Sequence, residues 1–298
     1  MKHLILSITV IFAPLLSQAD INVFACEPEW AALAEEIGKQ HVDTYSATSA
    51  YQDPHYVQAR PSLIAKIRNA DLVICSGAEL EIGWLPVLLQ KANNPKVAPG
   101  SNGFIEASAL VERYDATANV DRARGDIHPL GNPHVQTNPH NISIVARVLA
   151  QRMAELDAAN AAGYDAGLAD FLARWEKAIA VWENKAAPLR GKRVITHHKS
   201  WVYLERWLGL VEVANLEEIP GLPPTVGHLG TLKSKFAQGG ADFIIRSPYQ
   251  DRRASIWLSE RTGIPALELP LTVGGSDNAV DLFSWFDEIV DKLLGAAT

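Results

Sequence analysis

His55 in Gln52-Asp53-Pro54-His55, His134 in Gly131-Asn132-Pro133-His134 and His198 in Thr196-His197-His198-Lys199-Ser200-Trp201 sit in short segments of similar wording spread along the chain. Imidazole is the commonest neutral ligand for borderline divalent metals, and ligands from three distant segments meet only if the fold gathers them in one cleft. The pattern predicts one metal site made of His55, His134 and His198. Adjacent side chains at a strand end point in opposite directions, so only one of His197 and His198 faces the metal, and His198 is the choice. His128 and His140 flank His134 and read as solvated loop residues; a collecting role for His128 and a cap or weak-ligand role for His140 are the alternatives. His41 and His228 belong to no motif and read as surface or core residues.

Strand-like runs alternate with helical stretches, the pattern of parallel sheets covered by helices. Strands are predicted at 21–26, 42–46, 72–76 and 95–98, then at 193–197, 211–214, 242–246 and 264–269. Helices are predicted at 28–38, 61–69, 79–92, 140–155, 200–208, 225–238, 250–262 and 278–295. Between the halves, 158–187 carries Tyr164, Leu168, Phe171, Leu172, Trp175, Ile179 and Trp182 at spacings of three and four, the mark of one long amphipathic helix. The expected fold is α/β, with two lobes, each a mostly parallel sheet flanked by helices, joined by one long rigid helix; a core helix in a single domain is the alternative. The expected divisions are a leader at 1–19, a first lobe at 20–157, the helix at 158–188 and a second lobe at 189–298. His55 and His134 then fall in loops of the first lobe. His198 follows a strand of the second directly, where open α/β sheets place their ligands.

Lys2 and His3 precede the apolar run Leu4 to Leu16, which leads into the small-x-small signature Ser17-Gln18-Ala19 of a cleavable signal peptide. The run is short of the ~20 residues a membrane span needs. No cysteine stands where a lipoprotein would be acylated, so the expected compartment is the periplasm, with the mature chain unanchored. Cys26 and Cys75 each end a strand-like run, which favours a structural disulfide over two free thiols or thiolate metal ligation. A net charge of −7 with mixed signs offers no basic stripe and argues against a nucleic-acid partner. Trp84, Trp175, Trp182, Trp201, Trp207, Trp257 and Trp285 fit apolar helix faces and read as core. Glu79 and Glu81 read as first-turn carboxylates of a helix, and Glu217-Glu218 as a solvated pair before a proline-stiffened loop that rims the site, with a pair facing the cleft as the alternative.

Taken in order, the leader, Asp-Pro-His with a Pro-Ser helix start, Ala-Asp-Leu-Val-Ile, Leu80, Glu81, Trp84 and Leu85, Asn-Pro-His before a helix, the long helix and His-x-Ser-Trp-x-Tyr resemble the zinc and manganese solute-binding proteins of ABC transporters, the cluster A-I or ZnuA/TroA-like family. The resemblance covers the whole mature chain. It implies a divalent ion held between two lobes and delivered to an inner-membrane permease by a monomeric receptor, with His55, His134 and His198 as ligands. Two departures stand out. Lys199 replaces the acidic residue that follows the third histidine in many members, and Leu269, in Leu267-Glu268-Leu269-Pro270-Leu271, stands where members present an aspartate ligand. The fourth position falls to water, to Asp277 or to Glu268, in that order. Three neutral imidazoles favour Zn2+ over Mn2+, whose family sites lean on carboxylate oxygen.

The rival readings are a periplasmic zinc-dependent hydrolase or lyase, since a three-histidine zinc can activate water, and a metal chaperone of the same fold that works without a transporter. The chain lacks His-Glu-x-x-His and Gly-x-Ser-x-Gly, which weighs against an enzyme.

Overall fold

The computed structural model describes residues 21–117 and 125–297, so the leader expected at 1–19 lies outside the described residues. Strands β1 (Ile21–Ala25), β2 (Val42–Ser46), β3 (Leu72–Cys75) and β4 (Phe104–Glu106) form one sheet in the order β2-β1-β3-β4. Strands β5 (Arg193–Thr196), β6 (Val211–Asn215), β7 (Phe243–Arg246) and β8 (Ala266–Glu268) form a second in the order β6-β5-β7-β8. All pairings are parallel, and the two sheets share one topology. In each, the chain reverses its direction of winding between the two central strands, which opens a crevice at their carboxyl ends.

The central strands are apolar on both faces, and their alternation sorts side chains between two layers. Val23, Ala25, Leu72 and Ile74 enter an inner core, while Phe24, Cys26, Val73 and Cys75 pack outward beneath α2 (Pro61–Asn69) and α3 (Leu85–Ala92). In the second sheet Val194, Phe243 and Ile245 join the same inner core. Ile195 and Ile244 face outward to α7 (Val226–Lys235) and α8 (Arg252–Thr262). One core therefore runs through both lobes.

Its filling comes from α1 (Pro28–Gly38), α4 (Pro139–Leu156), α5 (Ala161–Ala186), α6 (Val202–Leu208) and α9 (Leu282–Ala297). Helix α5 is the predicted long helix; at 1.5 Å per residue its 26 residues span about 39 Å. Tyr164, Gly167, Phe171, Leu172, Trp175, Ile179, Trp182 and Ala186 make its buried stripe. Trp175 stacks on Phe171, Trp182 on Phe286, and Phe283 meets Trp175 edge-on, so α9 closes back over α5. Both indoles of this helix keep a partner: Trp175 Nε1 donates to Pro139 O at 2.9 Å and Trp182 Nε1 to Asp287 Oδ1 at 2.7 Å.

Two predicted elements differ. The strand expected at 95–98 is a single helical turn, because Pro95 has no N–H for a ladder and Asn94 Oδ1 accepts the Lys96 N–H; the fourth strand forms at Phe104–Glu106 instead. The helix expected at 79–92 begins only at Leu85, because Gly77, Ala78 and Glu79 all lie in the left-handed region at φ 75°, 50° and 68°. Glu81 is accordingly no exposed first-turn carboxylate. It is buried beside the Cys26–Cys75 disulfide, accepts the Gly77 N–H at 3.1 Å, and shares its pocket with Glu27. Thr272, from the second lobe, donates to Glu29 Oε2 at 2.5 Å, which ties this acidic pocket across the lobes. Burial pushes Glu29 and Glu81 up to about 7, and burial with the Glu81 charge raises Glu27 well above the usual range.

Gly167 lets α5 approach α1 closely, since a Cβ there would lie 2.1 Å from the Ile37 carbonyl oxygen. Gly167→Ala should therefore destabilise by about 1–3 kcal/mol through overpacking, in spite of alanine's helix propensity. Gly230→Ala, on α7 with nothing within 4 Å of the added Cβ, should instead stabilise by up to about 1 kcal/mol. Urea unfolding of both variants checks the opposed signs. A carboxyl raised by folding favours the folded state fully at acid pH and loses that contribution as pH climbs through about 7. Glu81→Gln should consequently melt higher than the parent at pH 8, with the gap shrinking by pH 5; a constant gap would contradict the burial-driven shift.

Candidate functional site

The site forms at the carboxyl ends of both sheets. His55 lies in the loop after β2, His134 in the loop before α4, and His198 two residues past β5. Their rings converge, with centroids 5.9 Å apart for His55 and His134, 5.6 Å for His55 and His198, and 6.2 Å for His134 and His198. One ring nitrogen of each lies within 4.8 Å of the others.

Local chemistry fixes each ring. Asp53 Oδ1 accepts the His55 backbone N–H at 3.0 Å, an Asx turn, and also meets His55 Nδ1 at 2.7 Å. Trp84 Nε1 donates to Pro54 O at 2.9 Å and holds the same loop against the first lobe. Burial pushes the Asp53 carboxyl up, but the hydrogen bonds and charge of His55 outweigh it and leave Asp53 below the ordinary range. A carboxylate only accepts, so His55 Nδ1 carries the hydrogen and Nε2 presents its lone pair.

His198 is set the same way. Its Nδ1 lies 2.7 Å from Glu217 Oε2, which also accepts the Gly221 N–H at 2.7 Å. Glu217, read from sequence as solvated, is largely buried and serves as the orienting carboxylate. The signal for it was the sheet register. Thr196 on β5 pairs with Asn215 on β6, and two residues further along each strand stand His198 and Glu217. His197 is not among the converging rings, and its Nε2 lies 3.7 Å from Glu217 Oε1.

His134 is the most deeply buried of the three at 1 % exposure, and neither ring nitrogen has a hydrogen-bond partner. Burial, then the neighbouring rings of His55, His198 and His128, drives it well below its ordinary pKa. Asn132 positions it: Oδ1 accepts the His134 N–H at 3.0 Å, while Nδ2 donates to Lys199 O at 2.7 Å in the second lobe. The Lys199 side chain itself is exposed.

His128 departs from the solvated reading. Its Nδ1 lies 3.1 Å from Ala78 O and its Nε2 3.1 Å from His55 Nε2, and burial followed by the His55 and His198 rings pushes its pKa down to about 3. The left-handed run at 77–79 is what aims the Ala78 carbonyl. The two side chains expected to contend for the fourth position are placed otherwise: Glu268 is paired with Arg246 and Asp277 is exposed. Leu269 is fully buried in the shared core, its N–H donating to Arg246 O. His140 pairs with Glu183 at the surface, and His228 Nε2 meets Asn215 O.

Convergent imidazoles, two of them with a ring nitrogen tied to a carboxylate so that the other presents its lone pair inward, are a donor set for a borderline divalent cation. No helix among the described residues is long and apolar enough to cross a membrane. The chain is 22% identical over 250 residues to the manganese ABC transporter substrate-binding lipoprotein PsaA of Streptococcus pneumoniae, covering 82% of this chain and 78% of that one. It is 24% identical over 254 residues to the iron ABC transporter substrate-binding lipoprotein MtsA of Streptococcus pyogenes, covering 82% and 77%. The crystal structure of ZnuA superposes with a TM-score of 0.79 at 22% identity, covering 94% of this chain and all of that one. The model of the family described as zinc-uptake complex component A, periplasmic, matches residues 23–296, and the chain belongs to that family.

Proposed function

We propose that the protein captures zinc between its two lobes through His55, His134 and His198 and delivers it to the permease of an ABC transporter. Family membership carries the broader statement: the chain is a metal-binding component of an ABC transporter, not an enzyme. The observation that carries the site is His134, a buried imidazole with both nitrogens unpartnered and one of them within 4.8 Å of a nitrogen of His55 and of His198. A buried polar group left without a partner costs about 1–3 kcal/mol, so a cation that uses its lone pair repays a standing penalty. Zinc is favoured because every donor in the cluster is imidazole nitrogen, while the place of the family's aspartate is taken by the buried Leu269.

PsaA and MtsA are named lipoproteins. In this chain Ser17-Gln18-Ala19 is followed by Asp20 and not by cysteine, which supports release into the periplasm after cleavage. The acidic charge supports an ion as cargo over a nucleic acid, and the receptor is read as a monomer.

Calorimetry of the demetallated protein tests the site. His55→Ala, His134→Ala and His198→Ala should each weaken zinc binding by more than about 100-fold, and Asp53→Ala and Glu217→Ala, which lose only the outer partner of a ligand, by about 10–100-fold. Parent-like affinity in all three histidine variants would overturn the assignment. Protons compete for imidazole lone pairs, so zinc affinity should fall from pH 8 to pH 5. Because burial already holds His134 neutral, fewer than three protons should be displaced per ion. Binding unaffected by pH would rule the imidazole site out.

A further inference from the structure

We infer that His128 is the fourth ligand of the metal, completing an all-imidazole site; this rests on the reading of His55, His134 and His198 as the other three. Two ring nitrogens meet here. His55 Nδ1 donates to the Asp53 carboxylate, so His55 Nε2 is a bare lone pair. His128 Nδ1 faces the Ala78 carbonyl, which can only accept, so His128 Nε2 is bare as well. These two lone pairs confront each other at 3.1 Å. Lone pairs at that distance repel unless a cation lies between them. Two imidazoles on one tetrahedral zinc, with bonds of about 2.0–2.1 Å, hold their nitrogens about 3.3 Å apart. The observed separation is close to what a shared ion demands.

The surroundings hold His128 in this position from both lobes. Tyr56 Oη donates to Asp126 at 2.8 Å on the first-lobe side, and the Asp126 N–H donates to Pro220 O at 2.9 Å on the second. Gly125, at φ 87°, passes so close to this strand of chain that a Cβ would lie 2.0 Å from Pro220 O. His128 and His198 line a common cavity of about 190 Å³, so the ring borders both the first-lobe and second-lobe ligands. The geometry also accounts for the buried Leu269. A site supplied with a fourth nitrogen by 125–128 has no need of a carboxylate after the last strand.

X-ray absorption at the zinc edge of the zinc-loaded full chain counts imidazoles directly. The parent should show four, and His128→Ala three with one oxygen. His140→Ala, whose ring pairs with Glu183 at the surface, should match the parent. Zinc release to a chelator should quicken in His128→Ala by at least the 10–100-fold that loss of an outer partner costs. Three imidazoles and an oxygen in the parent would overturn the proposal, whatever the folding of the variant. So would unchanged release from a His128→Ala protein that keeps its apo melting temperature. In either case the three-histidine site would stand; a parent that binds no zinc would overturn both.

Discussion

Four imidazole rings crowd into one seam between two lobes, and the arrangement is tolerable only because their ring hydrogens are drawn outward. Asp53 takes that of His55, Glu217 faces that of His198 and the Ala78 carbonyl takes that of His128. Each outward bond turns a lone pair inward. His134 has no such anchor; burial first, and then the neighbouring rings of His55, His198 and His128, hold it neutral. The seam thus gathers inward-facing lone pairs of His55, His198 and His128 around the unanchored His134 ring, an arrangement suited to a small divalent cation. The left-handed run at 77–79 belongs to the same constraint. Each non-glycine residue in that region costs about 1–2 kcal/mol, and what the strain secures is the direction of one carbonyl.

The scaffold that holds these rings is stiffer than two separate lobes would be. Inner faces of both sheets, α1, α4, α5, α6 and α9 share a single core, and the Asn132 amide and the Thr272 hydroxyl stitch the lobes at its edge. A wide hinge motion would open that core and expose Trp175, Trp182 and Phe286. Small rearrangements confined to loops are the inexpensive motions, and all of the converging histidines sit on loops. The sheets set where those loops begin; the loops set the site.

Most of the architecture was legible from the chain, because alternating apolar strands, proline-opened helices and the three-four spacing along 158–187 are local patterns. His55 and His134 stood out by a shared Asx-Pro-His word and His198 by its place just past a strand. What escaped were features written in long-range geometry or backbone conformation. Glu217 gains its role from strand register, which places it beside His198 across a parallel pair. Its neighbour Glu218 is exposed, as composition alone would suggest for both. The start of α3 moved because Ala78 and Glu79 adopt a left-handed conformation that their residue types disfavour. His128 looked like a loop histidine because no periodicity marks it, yet Gly125 and Asp126 bring it inside through contacts 70 and more residues away.

Leu269 shows how a core position can report on a site it does not touch. Its N–H extends the ladder from Arg246 O, so the strand end is built as usual, but its side chain points into the shared core and not into the seam. Glu268 beside it is committed to Arg246, and the Lys292 ammonium holds its carbonyl, so neither can swing toward the histidines without unpairing a charge. The second lobe therefore offers the seam one imidazole, His198, where a carboxylate after the last strand would have added a second donor. A donor set weighted toward the first lobe keeps His55 and His134 on one rigid unit. The second lobe then contributes His198 and the Pro220 contact that steadies 125–128, and separating the lobes slightly would disturb both together. Release of the cargo would then follow from a displacement small enough for the common core to survive.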